Sequence, residues 1–196
     1  GYVSSSYGPR IPDCDAWGCS SSNHRGTDFA AGCGTPIYAA AAGTVDMAFY
    51  NGGYGNFIRL QHGDGVATGY AHIVEGGYNV WNGQRVEAGQ VIAYAGDTGT
   101  AFGCNLHFEV YIWGDTTDPA AFLAVLEAVA RDDHCIASEE HELGVLAVAV
   151  PLRNAQGSTV AALNVIVPPH RDSPEPLATQ HLPRLRAAAR DLREML

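Results

Sequence analysis

From residue 35 to residue 113 the chain is a succession of short strand-like runs cut by glycine, and that punctuation excludes most other folds. The runs are "TPIYAA", "GTVDMAFY", "GNFIRLQH", "VATGYAHI", "QVIAYAG" and "LHFEVYIW", which alternate apolar with polar residues or stay apolar throughout. Between them lie "NGGYGN", "HGDG", "EGGYN" and "GDTGTAFG", rich in residues that turn a chain. No window here carries a helical period over ten or more residues. Strands this short, joined by turns, bury their apolar faces by pairing with one another. The expected architecture is mainly β, an antiparallel sheet or a small barrel- or sandwich-like core. Its long glycine-rich loops are a usual place for a site.

The pattern stops near residue 124. Every Trp, Tyr and Phe lies at or before Phe122, and of the 23 glycines only Gly144 and Gly157 follow it. The remainder is rich in Ala, Leu and Val. Residues 1–124 and 125–196 therefore read as two domains with different histories. The net charge of −10, with arginine as the sole strong base, excludes the basic face that nucleic-acid binding needs. No apolar run is long enough to span a bilayer. Gly1 opens directly on turn and strand residues with no signal-peptide pattern, as if upstream sequence had been cut away.

"NHRGTDF" places His24 and Asp28 in an H-x-x-x-D spacing, which by itself fits a solvated loop His and a turn Asp equally well. In "NLHFEV" the strand period sends Leu106, Phe108 and Val110 to one face and Asn105, His107 and Glu109 to the other. A His on the polar face of a half-buried strand needs no function. The cysteines change the balance. If Asp28 and His107 met at one metal, Cys33 and Cys104 would be brought close enough to bridge, and Cys14 with Cys19 would close a short loop before His24. Four cysteines that pair consistently with one geometry point to an oxidising compartment. Zn²⁺ is the ion that fits, because a catalytic zinc takes three protein ligands from nitrogen and carboxylate donors. His24, Asp28 and His107 would supply them. His72 in "GYAHI", with Tyr70 on the same strand face, is the candidate for moving protons or steadying an oxyanion. His62 in "QHGDG" reads as a solvated loop residue.

Taken in order, "SSYGPR", "HRGTDFAAGCGTPIYAAAAGTV", "GNFIRLQHGDGVATGYAHI" and "VEAGQVIAYAGDTGTAFGCNLHFEVYIWGDTTDPAAFL" resemble the LytM/lysostaphin-type zinc metallopeptidases, over about residues 1–123. The resemblance implies a secreted or envelope enzyme that cuts peptide stems or cross-links of bacterial peptidoglycan. It puts the family's zinc ligands on His24, Asp28 and His107, and a further catalytic His on His72. One position departs from the family. The first His of its H-x-H motif is Asn105 here. An amide can still donate a hydrogen bond to a developing oxyanion, but it cannot take up or release a proton. The metal site is expected to survive. Turnover is expected either to slow or to give way to a cell-wall-binding or regulatory role.

Beyond residue 124, "AAFLAVLEAVARD" is helical in period and "GVLAVAVPLRNAQGSTVAALNVIV" reads as two apolar strands of a hairpin around the turn "RNAQG", which Gly157 ends. Ser173-Pro174 marks the start of a helix. That helix carries a stripe of Leu182, Leu185, Leu192 and Met195, and Pro183 kinks or restarts it. The segment, an α+β fragment of helix, hairpin and long helix, resembles the C-terminal half of the effector-binding domain of IclR-type transcription regulators. That implies a cytoplasmic, small-molecule-sensing ancestry, without the DNA-binding unit or the first half of the pocket. His134, Cys135 and His141 read as solvated loop residues rather than a metal cluster. The two halves are expected to be a natural fusion or, preferably, an artefactual chimera of two incomplete coding pieces.

Overall fold

The computed structural model describes residues 1–15, 18–138, 146–167 and 177–195. Two compact units, Gly1–Phe122 and Leu123–Leu196, divide the chain.

The first unit is built on ten strands: β1 (Tyr2–Ser5), β2 (Thr27–Ala30), β3 (Pro36–Tyr38), β4 (Gly43–Tyr50), β5 (Asn56–Gly63), β6 (Val66–Tyr78), β7 (Arg85–Val86), β8 (Val91–Ala95), β9 (Asn105–Ile112) and β10 (Asp115–Thr117). They form one antiparallel sheet in the order β1-β2-β9-β6-β5-β4-β7, with β8 pairing β6 and β3, and β10 pairing β9. Consecutive strands β4, β5 and β6 lie side by side, as short glycine turns require. β2 and β9 are neighbours across a long stretch of sequence, a pairing that no local signal specifies. Ile37, Val45, Ile58, Leu60, Tyr70 and Ile92 form the centre of the core, each with almost no exposure. Full burial of such side chains contributes about 1.5–3 kcal/mol apiece.

The alternation expected of "GYAHI" breaks inside β6. Tyr70 and Ile73, three residues apart, both join the core, and the β5 register shifts between them. The extra residue is taken up at His72, whose φ is 59°. His62 is also not a solvated turn residue. It lies on β5, half-buried, with Nδ1 2.8 Å from the Ala42 carbonyl and Nε2 2.7 Å from Thr68 Oγ1.

The second unit holds a three-stranded antiparallel sheet of β11 (Cys135–Ser138), β12 (Leu146–Arg153) and β13 (Thr159–Val167). It also holds most of α1 (Pro119–Asp132), together with α2 (Leu182–Leu192). The expected hairpin is β12–β13. A π-helical turn, Leu177–His181, precedes α2, and Pro183 sits in its first turn, so the proline restarts the helix. Leu182 and Leu185 pack on Leu146, Val148 and Val150. Met195, by contrast, is 79% exposed, so the expected stripe stops short of it. Ser173, Pro174 and His141 lie outside the described residues. His134 Nδ1 donates to the Asp132 carbonyl at 2.9 Å.

Candidate metal centre

The pairing of β2 with β9 sets Asp28 directly opposite His107, and opposite residues of an antiparallel pair share a face. His24 reaches the same place from a two-residue ladder, Asn23–His24 with Gly8–Pro9. His24 Nε2 lies 3.1 Å from Asp28 Oδ1 and 2.9 Å from His107 Nδ1, and His107 Nδ1 lies 2.8 Å from Asp28 Oδ1. Among the described residues this is the one group of His, Cys, Asp and Glu close enough together to hold a metal ion.

The opposite nitrogen of each ring has an acceptor. His24 Nδ1 is 2.8 Å from the Ser6 carbonyl, and His107 Nε2 is 3.1 Å from Glu109 Oε1. A proton placed there on each ring leaves two nitrogen lone pairs and a carboxylate oxygen facing one point. Three acceptors with no donor between them repel, and a cation resolves the repulsion. Tetrahedral bonds of zinc length put ligand atoms about 3.3 Å apart, slightly wider than the spacings found. The donor set therefore fits such an ion. Burial works to raise the Asp28 carboxyl, but when the His107 and His24 rings carry protons on its side, their hydrogen bonds and charge outweigh burial and hold the group well below the usual carboxylate range.

His72 and His107 lie edge to face, ring centroids 5.8 Å apart. His72 Nδ1 donates to the Thr98 carbonyl at 2.8 Å, which leaves Nε2 as the basic nitrogen. Burial is the main cause that lowers the pKa of His72, keeping it neutral. A positive φ on a bulky residue costs about 1–3 kcal/mol and recurs at functional sites. Asn105 also lines the cleft, of about 540 Å³, into which the three ligand atoms open. Its Nδ2 donates to the Gly103 carbonyl at 2.9 Å, while its Oδ1 is buried without a partner.

Period-2 alternation grouped Asn105, His107 and Glu109 correctly but took their face as the outward one. Glu109 has no exposure and His107 only 6%, and both are more buried than Leu106 or Phe108. Sequence reasoning also missed Arg10, whose guanidinium lies 2.7 Å from Ser5 Oγ and 3.4 Å from Asp28 Oδ2. It missed Tyr54 and Tyr111 as well, whose hydroxyls reach Glu109. The uniform polarity of one face of "NLHFEVY" was the available signal. Both disulfides are present: Cys33–Cys104 spans 71 residues and ties the segment after β2 to the segment before β9, and Cys14–Cys19 spans 5.

The family model described as Peptidase family M23 matches residues 22–119, and the one described as Bacterial transcriptional regulator IclR C-terminal matches residues 113–194. The chain is 34% identical over 146 residues to the DD-carboxypeptidase/endopeptidase Mpg of Neisseria meningitidis, an alignment covering 74% of this chain and 32% of that protein. It is 49% identical over 80 residues to the p-hydroxybenzoate hydroxylase transcriptional activator of Acinetobacter baylyi, covering 41% of this chain and 30% of that one. Among solved structures, the catalytic domain of the antimicrobial peptidase lysostaphin from Staphylococcus simulans superposes with a TM-score of 0.53 at 32% identity, over 61% of this chain and 90% of that one. The chain thus spans about a third of the length of the curated relatives it matches.

Proposed function

The chain belongs to peptidase family M23, and on that premise we propose that its first unit is a zinc-dependent endopeptidase of bacterial peptidoglycan peptides. The observation that carries this reading is the convergence of His24 Nε2, Asp28 Oδ1 and His107 Nδ1 at 2.8–3.1 Å, with an acceptor beside the opposite nitrogen of each ring. These three residues would hold the ion. Zinc, when bound, supplies a Lewis acid that polarises the scissile carbonyl and lowers the pKa of the attacking water to about 7. His72, neutral and with Nε2 unprotonated, takes up and returns the proton, and only once protonated does its Nε2–H steady the oxyanion. Asn105 offers an amide and no proton exchange. The two disulfides and the peptidoglycan-acting relatives support a secreted or envelope location.

Asn105 also motivates a second reading, a metal-bearing domain with impaired turnover that binds cell wall or regulates another hydrolase. A metal-to-protein ratio measured beside a muropeptide digest separates the two. Equimolar zinc with released product supports the enzyme; zinc with no product, even at high protein, leaves only the binding role. For residues 125–196 we infer a partial effector-binding fold, joined to the peptidase domain of residues 1–124 by fusion or as an artefactual chimera. It lacks the rest of its pocket, so titration with an aromatic acid is expected to show no saturable binding.

A further inference from the structure

Glu109 is a carboxylate with no solvent exposure, in a unit whose other wholly buried large side chains are apolar or, as with Tyr70, hydrogen-bonded. An unpaired buried charge costs several kcal/mol, so a carboxylate survives there only if its oxygens are satisfied. They are satisfied by three donors. Tyr54 Oη donates to Oε1 at 2.8 Å, Tyr111 Oη donates to Oε2, and His107 Nε2 lies 3.1 Å from Oε1. The tyrosines come from separate elements, the 3-10 turn Gly52–Tyr54 and β9 itself, and together they leave the carboxylate no freedom to rotate. Gly26 closes over the pair: a Cβ there would sit 2.9 Å from both Glu109 Cγ and His107 Cε1.

We propose that Glu109 is a positioning residue which, by accepting from Nε2, holds the His107 ring in the tautomer whose bare Nδ1 faces His24 and Asp28. The inference rests on His107 being a metal ligand, as proposed above. The neutral ring has two places for its proton, and each has a carboxylate waiting. On Nδ1 the proton would bond Asp28 Oδ1 at 2.8 Å and close the ligand position; on Nε2 it bonds Glu109 and opens it. Asp28 offers the shorter contact, but it is partly exposed and already engaged by Arg10, whereas Glu109 is fully enclosed and pinned by both tyrosines, a fixed acceptor for the Nε2 proton. Partners of this kind, one shell beyond a metal, typically account for about 10–100-fold in affinity.

The test is ring ¹⁵N NMR on the full chain, zinc-free and at a pH where His107 is uncharged, together with zinc affinity from chelator competition. The wild type should carry the His107 proton on Nε2. Glu109→Met should move it to Nδ1 and weaken zinc binding about 10–100-fold. Glu109→Gln, whose amide oxygen still accepts from Nε2 while its nitrogen turns to Tyr111, should keep the tautomer and stay close to wild-type affinity. A wild-type ring protonated on Nδ1 overturns the proposal, as does a Glu109→Met protein that binds zinc as tightly as wild type. A Glu109→Gln protein that keeps the proton on Nε2 yet loses affinity as fully as the Met variant also overturns it. If Glu109→Met fails to fold, the wild-type spectrum and the Gln variant still decide. If the wild type takes no zinc at all, the metal reading falls, while the ring spectrum still reports whether Glu109 commands the tautomer.

Discussion

His72 stands in a strand whose alternation aims it at the core beside Tyr70, yet its backbone turns to φ 59° and the side chain lines the cleft instead. Such strain persists only where surrounding contacts over-determine it, and the Nδ1 bond to the Thr98 carbonyl is one of them. If His72 moves protons, His72→Ala should lower the turnover number about 10²–10⁴-fold with bound zinc unchanged, which metal analysis of the purified variant checks. Its pH dependence follows from the direction of the shift. Burial depresses the imidazole pKa, so the base form persists to pH values below the ordinary 6.5. The acid limb of the rate should therefore lie under 6.5, with zinc content assayed across the same range, and should vanish in His72→Ala. Asn105→His puts a proton carrier at the position where the resemblance leads one to expect a His. The rate of muropeptide cleavage should rise, and an unchanged rate would mean that proton transfer there is not limiting.

At the scale of elements, the site depends on how closely β2 and β9 approach. A Cβ on Gly26, between His24 and Asp28, would lie 2.4 Å from the Phe108 carbonyl oxygen. Backbone cannot yield there without moving the ligands, so Gly26→Ala should weaken zinc retention, read by chelator competition, more than it lowers the melting temperature. The Cys33–Cys104 bridge closes a loop of 71 residues and Cys14–Cys19 one of 5. Loop-closure entropy gives about 4 kcal/mol for the first and about 2 kcal/mol for the second. The double variant Cys33→Ala/Cys104→Ala should therefore lose both more stability in denaturant titration and more zinc than Cys14→Ala/Cys19→Ala. Much of this level was legible: glycine punctuation located the strands, and the period of "NLHFEV" grouped the site residues. Which face of β9 is enclosed was not legible, because enclosure comes from the loops that carry His24 and Tyr54.

For the whole molecule, the two units differ in how much each buries. Among the described residues, the core of the first gathers twelve buried hydrophobic residues and that of the second five. On α1 and β13 of the second unit, Leu123, Leu126, Val160 and Ile166 stay 48–63% exposed. A small unit with uncovered apolar surface is marginally stable and prone to associate. Calorimetry should resolve a lower transition that disappears when the chain is truncated after residue 122, with the zinc stoichiometry of the remainder unchanged. Sequence by itself determined the strand-rich class, the break in composition, and the chemistry on offer in His24, Asp28, His72 and His107, because periodicity and residue type act locally. Only the tertiary structure decided that Asp28 and His107 face each other, that His72 turns out of its strand, and that Glu109 lies buried behind a ligand. Those outcomes depend on register between strands far apart in the chain, where the free energy of packing, not the preference of any short segment, selects the partner.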